Sequence, residues 1–337
     1  MKRAVFVRYF LWPVVTSALI FIAILWGYGL HAFALVAILS VLEITLSFDN
    51  AVVNASVLKR MSTVWQERFL TWGILLAVFG TRFVLPILIV SVAAWASPVF
   101  ITLLSFSDPA EYGRMLDDVH GSISAFGGVF LLMVSLKYFI NQAKSVHWIQ
   151  SIERHLARWG AIEAVEIAIA LTVLLFISFV SHTDQASILV AGLVGVILFI
   201  LMEGVDNSMS IQTEQVATGG FALFMYLNVL DSAFSLDGVV GAFALTNNLI
   251  LIMAGLGIGA YFVRSMTLYL VREGTLSELI YLEHGAHWAI LGLATAMFAN
   301  LIVHVPEVIT GCIGLAFIIF SYYSSKKQLQ NHGNPLR

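Results

Sequence analysis

The chain has 337 residues, of which 60% are hydrophobic and only 11% charged, against about 25% charged in an ordinary soluble domain. Its mean hydropathy is +0.92, and its net charge of −3 excludes the basic surface of a nucleic-acid binder. A single cysteine, Cys312, excludes an intramolecular disulfide and any multi-cysteine metal site.

Continuous apolar runs of about 20 residues point to an all-α polytopic membrane protein and not to a β-barrel, whose strands alternate over about 10 residues. In chain order the predicted spans are 9–26, 31–58, 69–95, 121–142, 161–182, 186–206, 220–246, 248–270, 285–304 and 307–325. The first span, with Lys2, Arg3 and Arg8 before it and Ala32-Phe33-Ala34 after it, has the outline of a signal peptide. Removing it would break the symmetry described below. With the N-terminus inside, the inner ends hold Lys2, Arg3, Arg8, Lys59, Arg60, Arg68, Lys144, Arg154, Arg158, Arg272, Lys326, Lys327 and Arg337, and the outer loops hold only Arg114. This asymmetry predicts cytoplasmic termini; the expected location is a bacterial inner membrane. The outer loop 96–120 is acidic, with Asp108, Glu111, Asp117 and Asp118.

The sequence repeats. LEITLSFDN at 42–50 matches LDSAFSLDG at 230–238, so that Glu43 aligns with Asp231, Ser47 with Ser235 and Asp49 with Asp237. Further matches follow in the same order: Gly73 and Arg82 with Gly255 and Arg264, His120-Gly121 with His284-Gly285, and Glu163 with Glu307. The unit is five spans, and an odd number forces the second copy to insert upside down. The expected architecture is one membrane domain over 1–325, with repeat one at 9–182, repeat two at 186–325 and a cytoplasmic tail at 326–337. Inverted repeats of this kind characterise secondary transporters, with the substrate near the midplane.

Glu43, Asp49, Asp231 and Asp237 all fall well inside their apolar spans. A charged carboxylate there costs about 2.5–3.5 kcal/mol on insertion scales, so it marks a function or a partner. On an intact helix Glu43, Ser47, Asn50 and Asn54 share a face and Asp49 does not. For Glu43 and Asp49 to reach one ion, the helix must open near Ser47–Asn50, and Gly238 would permit an opening in the second copy. Arg82 and Arg264, permanently charged inside their spans, need internal counter-charges that the carboxylates supply. Lys137 can snorkel to the interface. Glu163 and Glu307, near helix starts, are possible proton or secondary metal sites, although first-turn acids commonly serve the helix dipole. Glu203 and Asp206 read as a solvated span end. The histidines lie mostly at span ends, and none pairs at i, i+4 as in a zinc hydrolase.

The segments LEITLSFDNAVV, LDSAFSLDGVVGAFALTNN and LEHGAHWAI resemble the TerC-like integral membrane family, named for tellurium resistance and placed with the LysE-type exporter superfamily. The resemblance runs from about residue 31 to 325 and is nearest a branch described as a domain of unknown function. It implies metal-ion homeostasis, in some members manganese export, and metal-site roles for Glu43, Asp49, Asp231 and Asp237. One position departs: Gly238 stands where the second motif often carries a hydroxyl residue.

The expected function is secondary transport of a divalent cation, Mn²⁺ efflux in exchange for protons. The candidate ligands are Glu43, Ser47, Asp49, Asn50, Asp231, Ser235 and Asp237, with Arg82 and Arg264 balancing charge. No catalytic residue, cofactor or nucleic-acid partner is expected. Oxygen donors suit Mg²⁺, Ca²⁺ and Mn²⁺. Mg²⁺ dehydrates reluctantly and Ca²⁺ wants six to eight oxygens, which leaves Mn²⁺. With no P-loop, active transport needs an ion gradient or another subunit. Two other readings exist. One is a scaffold of a metal or tellurite stress-resistance complex. The other is an intramembrane aspartyl protease using Asp49 and Asp237, which leaves Glu43 and Asp231 unexplained and lacks a GxGD-like motif.

Overall fold

A computed structural model describes residues 2–142, 144–181, 184–210, 216–246, 248–303 and 305–332, and among these there is no strand. In chain order the helices are α1 (Lys2–Leu46), α2 (Phe48–Leu58), α3 (Thr63–Leu75), a π-helical segment (Leu76–Val84), α4 (Leu85–Ala93), α5 (Pro98–Ser107), α6 (Pro109–Asp118), α7 (His120–Phe139), α8 (Gln150–Trp159), α9 (Val165–Val180), α10 (Gln185–Ser210), α11 (Val216–Leu245), α12 (Leu249–Arg272), α13 (Thr275–Glu278), α14 (Leu282–Asn300) and α15 (Glu307–His332).

The surface of these helices is apolar. Trp26 and Trp95 are 96% exposed, and Leu19, Ile22, Val92, Phe179 and Phe320 also face outward. Apolar surface on this scale needs lipid against it. Among the described residues five stretches are long and apolar enough to cross a bilayer: Val7–Leu46, Thr63–Ala93, His120–Phe139, Gln185–Gly204 and Leu249–Arg272. The predicted spans 161–182, 220–246, 285–304 and 307–325 coincide with α9, α11, α14 and α15. The chain is an all-α polytopic membrane protein.

Local backbone chemistry explains where the long helices break. Gly29, with φ 82°, interrupts α1 between the first two predicted spans, a left-handed conformation that glycine adopts without strain. Ser47 forms a turn between α1 and α2, which is where the spacing of Glu43 and Asp49 calls for an opening. The loop predicted over 96–120 carries two short helices. The side chain of Asp108 caps α6 by accepting from Glu111 N at 3.1 Å, and Pro109 fills the first helical position, where its missing N–H is not needed.

The chain divides into two compact units, and not at the boundary between the repeats. One comprises residues 1–47, 58–120 and 216–269; the other comprises 48–57, 121–215 and 270–337. Each draws helices from both repeats. In the first unit α11 packs on α3, α6 and the π-helical segment, and Ile24, Ala32 and Val36 of α1 form a core with Leu251 and Ile258 of α12. In the second unit α14 packs along α15 and α9 along α10, and Phe139 of α7 meets Trp288 of α14 at 4.8 Å between centroids.

An inverted arrangement fixes which loops share a side. In a Cys312→Ser background, single cysteines replacing Asp108 or Asp184 are expected to react with an impermeant thiol reagent from outside. Those replacing Gln150 or Gln330 are expected to react only from the cytoplasmic side. Reversed labelling at 184 alone would remove a span and with it the inverted symmetry.

Candidate functional site

In the first unit two buried ion pairs occupy matched positions of the repeat. Glu43, 3% exposed near the end of α1, is paired through Oε1 with Nη2 of Arg82. The same oxygen accepts the Ser47 hydroxyl at 2.9 Å. Arg82 lies in the π-helical segment, a local widening of the helix that recurs at functional sites, and its Nη1 donates to Ala77 O at 2.6 Å. Asp231 of α11 and Arg264 of α12 repeat the theme: Nη2 donates to Oδ2 at 3.1 Å. Arg264 Nη1 also reaches Phe69 O at 3.4 Å, and the guanidinium stands 4.2 Å from the Phe69 ring centroid. Close packing holds both pairs. A Cβ on Gly259 would overlap the Glu43 side chain, and one on Gly73 would meet Arg264 Nη1 at 2.6 Å.

The pairs do not use every polar group around them. Arg82 Nε, Arg264 Nε, Asn228 Oδ1 and Ser235 Oγ are buried without a hydrogen-bond partner among the described residues. The expected second opening does not occur, because α11 is continuous from Val216 to Leu245. The chemistry of the two copies differs there. Ser47 bonds to the long Glu43 side chain, whereas Asp231 is one methylene shorter and turns its Oδ2 to Arg264. The side chain of Asp237 lies outside the described residues.

The second unit holds α2 and its acid. Asp49 is 4% exposed, and its Oδ1 accepts from Asn50 N at 2.9 Å. Its Oδ2 lies beside Gly314 of α15, where an added Cβ would sit 3.6 Å away. Among the described residues Asp49 has no ion-pair partner. Asn50 and Asn54 are 2% and 1% exposed, and among the described residues the buried amide oxygen of each has no hydrogen-bond partner. One turn apart on a helix, they present two uncommitted oxygens along one face. The sequence places Asn54 on that face but gave it no role.

A further cluster in the second unit was not anticipated. Glu153 of α8 is fully buried. It accepts from His284 Nδ1 at 2.8 Å, from Trp288 Nε1 at 3.0 Å, and from the backbone N–H of Trp148 and Ile149 at 3.1 and 3.3 Å. Lys144 Nζ lies 3.8 Å from it and 3.4 Å from the Tyr138 ring centroid. Burial alone would raise the Glu153 carboxyl, but the bonds from His284 and Trp288 and the charges of His284 and Lys144 outweigh it and hold it at about 2, below its ordinary 4.5. A carboxylate only accepts, so His284 Nδ1 carries the proton. Burial lowers the Lys144 ammonium to about 8, against the pull of Glu153 and Glu283.

The signs give a pH prediction. A carboxyl depressed by folding contributes stability that is complete above about 4.5 and is lost as pH falls through about 2. Lys144 has the same sign in a higher window: the folded state sheds its proton more readily, so stability rises with pH between about 8 and 10.5. Unfolding of purified protein followed against pH is expected to show an acid limb that flattens in Glu153→Gln. An unchanged limb would assign acid sensitivity to other groups.

Other predicted residues fall elsewhere. Glu163 is exposed in the turn before α9, and the side chain of Glu307 lies outside the described residues. Lys137 does not simply snorkel: its Nζ is paired with Glu203 of α10 and lies 3.5 Å from Glu166 of α9, so Glu203 is an ion-pair partner and not merely a solvated end. Among the described residues no group of three or more His, Cys, Asp or Glu side chains is placed to hold a metal ion.

No curated protein and no solved structure matches the chain. A family model, described as protein of unknown function DUF475, matches residues 48–332. That match takes in Asp49, Asp231, Arg82, Arg264 and the Glu153 cluster, and begins just after Glu43 and Ser47. The chain belongs to the DUF475 family, a family of unknown function.

Proposed function

We propose that the protein is a secondary transporter of a divalent cation, Mn²⁺ fitting best, that exchanges the metal for protons, and that its family stands with the TerC-like exporters. The observation that carries this reading is the pairing of Glu43 with Arg82 and of Asp231 with Arg264. Four acids and two arginines sum to −2. Each arginine is taken by one acid, and among the described residues Asp49 is the motif acid left without an ion-pair partner. One divalent cation or two protons would offset the net −2 of the four acids and two arginines and avoid the desolvation cost of an uncompensated buried charge.

The donors support a hard cation. Next to Asp49 in the chain, the buried amide oxygen of Asn50 has no hydrogen-bond partner among the described residues, and no thiol or imidazole lies in either motif. Oxygen donors of this kind suit Mn²⁺ better than Zn²⁺ or Cu⁺. Competition binding on purified protein tests the choice. Mn²⁺ is expected to resist equimolar Ca²⁺ and Zn²⁺, and Asn50→Ala is expected to weaken it. Displacement by Zn²⁺ with full binding retained in Asn50→Ala would reject both the metal and the ligand set.

A further inference from the structure

We infer that α8 is an interfacial helix that lies on the bilayer surface and binds anionic lipid headgroups. Three faces can be read from its ten residues. Ile152, Leu156 and Trp159 recur at i, i+4 and i+7 and share one face, and Ile152 and Trp159 are 47% and 43% exposed. Arg154 and Arg158, also one turn apart, are exposed on another. Glu153 and Ala157 form the third, and Glu153 is fixed to His284 and Trp288 of α14. The buried carboxylate therefore fixes the rotation of the helix about its own axis. With that face held against protein, the aliphatic and tryptophan face and the arginine face are left for other surroundings.

The chain around α8 supports a position at the membrane boundary. A five-residue elbow, Gly160–Ala164, joins it to α9, whose Leu175, Phe176 and Phe179 face outward. Ala164 holds φ 55° at the start of α9, a left-handed conformation that makes a sharp change of direction. A Cβ on Gly160 would run into Ile140 O, so the elbow packs tightly beneath the end of α7. Ile162 in the elbow is 59% exposed. A short helix with Trp and aliphatic residues on one face and arginines on another suits the headgroup boundary, where Trp concentrates and cations are drawn to an anionic leaflet.

Nitroxide labels on the full chain, in a Cys312→Ser background and in lipid vesicles, test this. A label at Ile152→Cys is expected to be reached by oxygen more than by an aqueous nickel chelate, and one at Ser151→Cys the reverse. Adding phosphatidylglycerol to phosphatidylcholine vesicles is expected to deepen the Ile152 label, and Arg154→Gln with Arg158→Gln is expected to abolish that shift. Both arginines are exposed, so the pair of substitutions leaves the fold intact, which circular dichroism checks. The proposal is overturned by an Ile152 label that reports water in both vesicles. It is equally overturned by one shielded from both reagents, as against a second copy, or by one indifferent to phosphatidylglycerol.

Discussion

Arg82→Met is expected to destabilise the folded protein by roughly 3–5 kcal/mol, because it leaves Glu43 buried without its counter-charge. Glu43 could escape only by taking a proton, and its Oε1 would keep only the Ser47 hydroxyl. Glu43→Gln combined with Arg82→Met removes both charges and is expected to recover part of the loss. Arg264→Met is expected to cost at least as much, since that guanidinium serves Asp231, the Phe69 carbonyl and the Phe69 ring together. Unfolding in detergent across the double-mutant cycle measures the coupling. Additive effects at 43 and 82 would mean that the pair does not act as a unit.

Asp49→Asn is expected to do the opposite: little loss of stability and loss of function. The amide keeps the shape and can still accept from Asn50 N, so the packing of α2 beside Gly314 survives. What disappears is the negative charge and its capacity to bind a proton. Mn²⁺ binding is expected to fall at least about tenfold, or ~1.4 kcal/mol. Calorimetry of metal binding on the purified variant reads this directly, with Glu163→Gln, an exposed acid, as the comparison expected to bind like the unsubstituted protein.

The sequence makes the helices legible because their apolar runs have no soluble alternative. A break at Ser47 was readable from the angular mismatch of Glu43 and Asp49, whereas Gly29 was legible only as part of the gap between the first two predicted spans. That Arg82 and Arg264 need internal acids followed from charge alone. Which acid each takes did not, since Arg82 finds Glu43 39 residues away and Arg264 finds Asp231 33 away. The continuity of α11 was misjudged because Gly238 permits an opening without requiring one. Glu153 gave no local signal. It sits in a polar stretch that reads as a loop, and His284 and Trp288 lie 131 and 135 residues further on. Helices α5, α6 and α8 were hidden because ten residues are too few for the hydropathy of a span.

The central claim is metal–proton exchange through Asp49, and the most direct test is Mn²⁺ uptake into vesicles that hold only this protein, with and without an imposed pH gradient. Uptake is expected to follow the gradient, to be lost in Asp49→Asn and to persist in Glu163→Gln. No uptake under any gradient, uptake indifferent to it, or uptake undiminished in Asp49→Asn would contradict the account.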